Sequence, residues 1–152
     1  MVRPEAAAAL EALFAGAAED GLTLYATSGY RSYSTQKAIF ERKLDRMSEK
    51  QANLSVAKPG YSEHQTGLAM DIEGETTKGT GLTEAFGESP EGIWAAKHCA
   101  EYGFIVRFTA EKQKLTGFVA ESWHFRYVGV DAAKTITQNN WCLEEFIEKM
   151  GI

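Results

Sequence analysis

The residues best equipped for chemistry lie in two short stretches. Ser62-Glu63-His64-Gln65-Thr66-Gly67-Leu68-Ala69-Met70-Asp71 holds a His and an Asp seven positions apart, and Glu121-Ser122-Trp123-His124 adds a second His and a carboxylate. Imidazole and carboxylate are ligands for a borderline divalent metal such as zinc. His64, Asp71 and His124 make three ligands, and three protein ligands with an open fourth position describe a catalytic zinc, whereas structural zinc is usually closed by four. Glu121 is then the candidate general base for an activated water. The chain has 3 His, and the one outside both stretches, His98, reads as a structural or surface residue.

These side chains need particular elements to bring them together. Gly67 allows a sharp backbone turn, so that His64 on a loop and Asp71 on the following strand can face one point. In that strand Leu68, Met70 and Ile72 share one face and anchor it in a core, while Ala69 and Asp71 share the other. Asp71 is therefore expected on an exposed polar face. Glu121 and His124 are an odd number of positions apart and would point to opposite faces of a plain strand. For both to reach one site the chain must bulge or turn near Ser122.

The surrounding periodicities supply the frame. Arg3 to Asp20 reads as a helix with Pro4 in its first turn and an apolar stripe of Leu10, Leu13, Phe14 and Ala17. Leu22 to Thr27 alternates as a strand and runs into the tight turn Ser28-Gly29-Tyr30-Arg31. Ser34 to Gln51 reads as one helix capped by Ser34. Asn53 to Tyr61 is a loop, and Glu73 to Ser89 a long glycine-containing loop. Ser89-Pro90 starts a helix, Gly103 to Phe108 is a strand, and a polar turn at Glu111 to Lys114 leads back as a hairpin into Gly117 to Tyr127. Asp131 to Asn139 and Trp141 to Met150 read as C-terminal helices.

Composition bounds the function. At 152 residues, 44% hydrophobic and 24% charged, the chain is expected to form one globular domain over 1–152. A net charge of −5 argues against nucleic acid as a partner. No apolar run approaches the roughly 20 residues of a membrane span, and no signal peptide is legible at the N-terminus. The chain is thus expected to be either cytoplasmic or an ectodomain without its anchor. Cys99 and Cys142 read as buried free thiols in preference to a disulfide.

Ser62-x-His64-x-x-Gly67-x-Ala69-x-Asp71 followed by Glu121-x-Trp123-His124 resembles the zinc D-alanyl-D-alanine carboxypeptidases of the VanY type. That superfamily also holds VanX-type dipeptidases, L,D-carboxypeptidases and the Hedgehog signalling domain. Ser28-Gly29-Tyr30-Arg31-Ser32, with Gln36 beyond, fits as a third motif, and the likeness runs from about Val2 to about Val130. Two departures are Ser122 in place of Pro, and Phe108-Thr109 after Arg107 where the family often reads Tyr-Pro. The resemblance implies an α+β fold of the Hedgehog/D,D-peptidase kind: a small, mostly antiparallel sheet with flanking helices and a zinc cleft. It implies hydrolysis of the terminal D-Ala from peptidoglycan stem peptides by a monomer in the extracytoplasmic envelope, with Zn2+ as cofactor. His64, Asp71 and His124 would bind the metal and Glu121 would be the base. Arg31 would stabilise the oxyanion and Ser62 would hold the substrate's free carboxylate. Gln36, Tyr30 and Trp123 are further substrate-binding candidates, although simple capping would explain Gln36 equally well. An L,D-carboxypeptidase, a dipeptidase, a wall endopeptidase and a non-catalytic zinc-stabilised domain are the alternatives, the last disfavoured by Glu121 and Arg31.

Overall fold

A computed structural model describes residues 1–152 and has an α+β architecture. Four antiparallel strands, β1 (Leu24–Ser28), β2 (Ala69–Gly74), β3 (Phe104–Phe108) and β4 (Glu121–Tyr127), lie in the order β1-β2-β4-β3. Eight helices flank them: α1 (Pro4–Glu19), α2 (Tyr33–Leu44), α3 (Glu49–Ala52), α4 (Ala85–Glu88), α5 (Pro90–His98), α6 (Gln113–Thr116), α7 (Val130–Gln138) and α8 (Leu143–Met150).

The apolar periodicities explain the layering. The stripe of α1 buries Leu10, Leu13 and Ala17. Together with Ala95 of α5 they pack on Leu24, Met70, Ile72, Phe104 and Phe125, one from each outer strand and three from the inner pair. Phe104, Phe125, Leu13 and Ile72 are fully buried, each contributing about 1.5–3 kcal/mol of transfer free energy. A smaller cluster of Ala100, Ile105, Ala133 and Ile136, joined by Leu143 and Phe146, attaches α7 and α8 beyond β3. One face of β2 is thereby committed to core, and the other, with Ala69 and Asp71, faces a cleft.

Several elements differ from the sequence expectation. The helix expected over Ser34 to Gln51 is two helices: α2 ends at Leu44, and α3 begins behind a Ser48–Gln51 capping box. Its cap is Ser32, whose hydroxyl accepts from the Thr35 N–H, and Ser34 lies inside the first turn. The hairpin expected between β3 and β4 is a longer connection through a 3₁₀ turn, Ala110–Lys112, and α6, so β4 starts only at Glu121. The long loop after β2 carries the short helix α4. Both cysteines are free and buried, and burial pushes the Cys99 thiol up to about 12, which makes it inert.

Candidate metal centre and cleft

The stretch that carries His64 is a 3₁₀ turn, Glu63–Thr66, closed by Gly67 in the left-handed region at φ 72°. A side chain is disfavoured there by backbone conformation, and a Cβ would also meet the Arg3 backbone nitrogen at 3.2 Å. The turn delivers the chain into β2, where Asp71 pairs across to His124 of β4 and to Ser28 of β1. The three strands so aligned bring His64, Asp71 and His124 together, with one ligand atom from each lying within 4.8 Å of the others.

All three are buried; Asp71 is only 2% exposed, which corrects the expectation of an exposed polar face. Alternation places Asp71 opposite the core, but His64, His124 and Arg31 close around its carboxylate. His64 Nδ1 lies 2.7 Å from the Gly29 carbonyl, an acceptor, so this nitrogen carries the proton. The free Nε2 then faces Asp71 Oδ2 at 3.3 Å. His124 approaches from the other side, with Nδ1 3.1 Å from Asp71 Oδ1. Tetrahedral zinc with ligands at about 2.0–2.1 Å needs donor–donor separations of roughly 3.3 Å. Both His–Asp separations match this value, and two imidazole nitrogens with a carboxylate form a donor set that suits that ion.

The bulge demanded by the spacing of Glu121 and His124 is present. Val106 pairs with Phe125 and Phe108 with Glu121, so four steps along β4 answer two along β3. Glu121 and His124 consequently turn to the same side, with Oε2 and Nδ1 3.8 Å apart. The departure at Ser122 has a physical counterpart. Its N–H donates to Glu84 Oε1 and its hydroxyl accepts from the Gly87 N–H. A proline would forfeit the first bond, so here α4 and the loop before it fix the bulge.

Burial and neighbouring charges compete in the centre. Burial raises the Glu121 carboxyl to about 7, reinforced by Asp71 and opposed by His124 and Arg31. Burial opposes the charge on His124, yet the Asp71 and Glu63 carboxylates outweigh it and raise the imidazole to about 9. Asp71, despite its burial, is held well below the usual carboxylate range by His124 and His64. Without a metal the centre thus holds a proton on His124, which a cation would have to displace.

Arg31 is held rigidly. Its Nη1 donates to Gln36 Oε1 at 2.9 Å, its Nη2 to Ser28 Oγ at 3.0 Å, and the guanidinium lies 3.6 Å from Asp71. Gln36, 1% exposed, uses its other amide end to bond the Ala57 carbonyl at 2.7 Å. Its amide is thus engaged with protein at both ends, which makes it a support for Arg31. Ser62 lines the cleft with its hydroxyl unengaged by any protein group, and Trp123 forms part of the wall. Tyr30, half exposed, is not among the lining residues. The cleft, about 300 Å³, is also lined by Val56, Tyr61, Phe108 and Phe118, of which the sequence singles out only Phe108, as a departure from the family pattern. His98 stacks on Trp94 and pairs with Glu101, away from the centre.

The family model for VanY, D-alanyl-D-alanine carboxypeptidase, matches residues 1–130. The putative carboxypeptidase YodJ of Bacillus subtilis (strain 168) is 47% identical over 149 residues, 98% of this chain and 54% of that protein. The solved LdcB LD-carboxypeptidase superposes with a TM-score of 0.92 at 47% identity, covering 97% of this chain and 69% of the other. A mutant of the vancomycin-resistance D,D-pentapeptidase VanY, solved in complex with Zn(II), superposes with a TM-score of 0.81 at 35% identity, covering 96% and 83%. The chain spans about half the length of the first curated relatives it matches, 54% and 52%.

Proposed function

Because the chain belongs to the VanY family of D-alanyl-D-alanine carboxypeptidases, we propose that it is a zinc-dependent carboxypeptidase that removes the C-terminal D-Ala from peptidoglycan stem peptides in the extracytoplasmic envelope. The observation that carries this reading is the arrival of Glu121 at the His64–Asp71–His124 group inside a cleft that also presents Arg31 and Ser62. No helix is long and apolar enough to cross a membrane.

His64, Asp71 and His124 would hold the zinc, which would supply a Lewis acid and make water nucleophilic near neutral pH. Glu121 accepts the water's proton and later delivers it to the leaving amine. A carboxyl near 7 before metal binding suits that shuttle, and a nearby cation shifts it toward the ionised form. Arg31, already fixed by Gln36 and Ser28, offers a planar donor to the developing oxyanion with little reorganisation. The free Ser62 hydroxyl donates to the substrate's terminal carboxylate. Trp123, Phe108 and Phe118 give the cleft apolar walls against which the peptide excludes water.

An L,D-carboxypeptidase is the second reading, favoured by the 47% identity to LdcB over the 35% to the D,D-pentapeptidase. The test is D-Ala release by the zinc-loaded protein from stem peptides ending in D-Ala-D-Ala or in a single D-Ala after an L-centre, each as free acid and as amide. The free acid should be cleaved and amidation should lower kcat/KM about tenfold or more, because donors built for a carboxylate are left mismatched. Preference between the acids decides D,D against L,D. Equal rates on acid and amide would overturn the carboxypeptidase assignment.

A further inference from the structure

We propose that Glu63 is a positioning residue for His124, and that the C-terminal helix α8 holds Glu63 in place through Arg107. The inference rests on the reading of His64, Asp71 and His124 as a zinc site. His124 turns Nδ1 toward Asp71. Its other nitrogen, Nε2, is buried without a hydrogen-bond partner, and so is Glu63 Oε2. The two orphans face each other at 3.5 Å. Buried polar atoms are seldom left unpaired, and a donor and an acceptor so placed form one bond after closing by a few tenths of an ångström.

That bond decides which nitrogen can bind metal. With the Nε2 proton given to Glu63, the neutral ring keeps its lone pair on Nδ1, the atom beside Asp71. His64 is set in the opposite sense, with its Nδ1 proton given to the Gly29 carbonyl and Nε2 left free. One 3₁₀ turn therefore serves two ligands: it carries His64 itself, and through the preceding residue it orients His124.

Glu63 is itself fixed from two strands, one of them braced by α8. Its Oε1 accepts from Arg107 Nε of β3 at 2.8 Å and pairs with Arg126 Nη1 of β4 at 3.0 Å. Arg107 in turn grips Glu144, in the first turn of α8, through Nη1–Oε2 at 3.0 Å and Nη2–Oε1 at 2.5 Å. The fork geometry fixes the guanidinium in direction as well as distance. Glu144 lies beyond residue 130, where the family match ends, so α8 contributes a support for the metal centre from outside the matched segment.

The alternative is that Glu63 only balances the charge of buried Arg107 and partly buried Arg126. Glu63→Asp separates the two: it keeps the charge but withdraws the carboxylate by one methylene. Zinc affinity is measured by chelator competition for wild type, Glu63→Asp, Glu63→Gln and Glu144→Gln, with circular dichroism of each metal-free protein as a check on folding. Both Glu63 variants should bind zinc about 10–100-fold more weakly, and Glu144→Gln, which loosens only Arg107, about 3–10-fold more weakly. Wild-type affinity in Glu63→Asp would overturn the orienting role, and wild-type affinity in Glu144→Gln would overturn the role of α8. If Glu63→Gln fails to fold, the other two variants still decide. Should wild type bind zinc but cleave no stem peptide, the proposed function fails while this affinity comparison still decides the inference.

Discussion

Glu121→Gln should make the metal-free protein more stable while sharply slowing hydrolysis. The carboxyl stands near 7 in the fold against an ordinary 4.5. Below pH 4.5 it is protonated in both folded and unfolded chains and has no effect. As pH rises from 4.5 to 7 the unfolded chain ionises first, so stability is lost across that window and the loss is complete above it. At about 1.4 kcal/mol for each pH unit between the two values, the cost is about 3 kcal/mol at pH 8 and about 1 kcal/mol at pH 5. Gln mimics the protonated carboxyl and avoids the loss. For a chain of this size about 1 kcal/mol corresponds to roughly 2–4 °C, so the variant should melt about 6–12 °C higher than wild type at pH 8 and only about 2–4 °C higher at pH 5. The assay is thermal unfolding followed by circular dichroism in the presence of a chelator at both pH values. Saturating zinc should narrow the pH 8 gap, because a cation favours the ionised carboxylate. Rates on stem peptide should fall about 10²–10⁴-fold. Identical melting at pH 8, or a gap that does not change with pH, would refute the claim that Glu121 is strained by burial.

Zinc binding should release a proton from His124, which stands near 9 without metal; apparent affinity should weaken about tenfold per pH unit between pH 8 and 7, and titration calorimetry in buffers of different ionisation enthalpy counts the proton. His124→Ala should lose zinc on dialysis where wild type keeps about one equivalent, as metal analysis would show. Gln36→Ala should leave zinc content unchanged and lower kcat/KM about 10–100-fold by freeing Arg31; unchanged kinetics would mean that Ser28 alone suffices to hold the guanidinium. Arg31→Lys should lower kcat more than it raises KM, because the planar fork acts on the transition state.

How much of this was legible before the fold was known depends on whether the information is local. The seven-residue step from His64 to Asp71 contains its own turn residue, and Gly67 adopts the left-handed conformation that the step requires. The odd spacing of Glu121 and His124 demanded a bulge and the sheet contains one. The break between α2 and α3 is also written locally, in the Ser48–Gln51 capping box, but the charged run around it reads as continuous helix. Burial of Asp71 could not be read, since alternation reports only which face a side chain takes. Its carboxylate is enclosed by His64, His124 and Arg31, which arrive from the 3₁₀ turn, from β4 and from the turn after β1. The same limit hid Glu63. In one dimension Glu63, Arg107, Arg126 and Glu144 are four scattered charges, each most simply read as solvated. Only folding joins them into one run of ion pairs that ends at His124. A residue that touches the reacting atoms leaves a motif because its spacing is fixed by one short segment. A residue that supports it from behind is fixed by the packing of several elements, and its signal is spread across the chain.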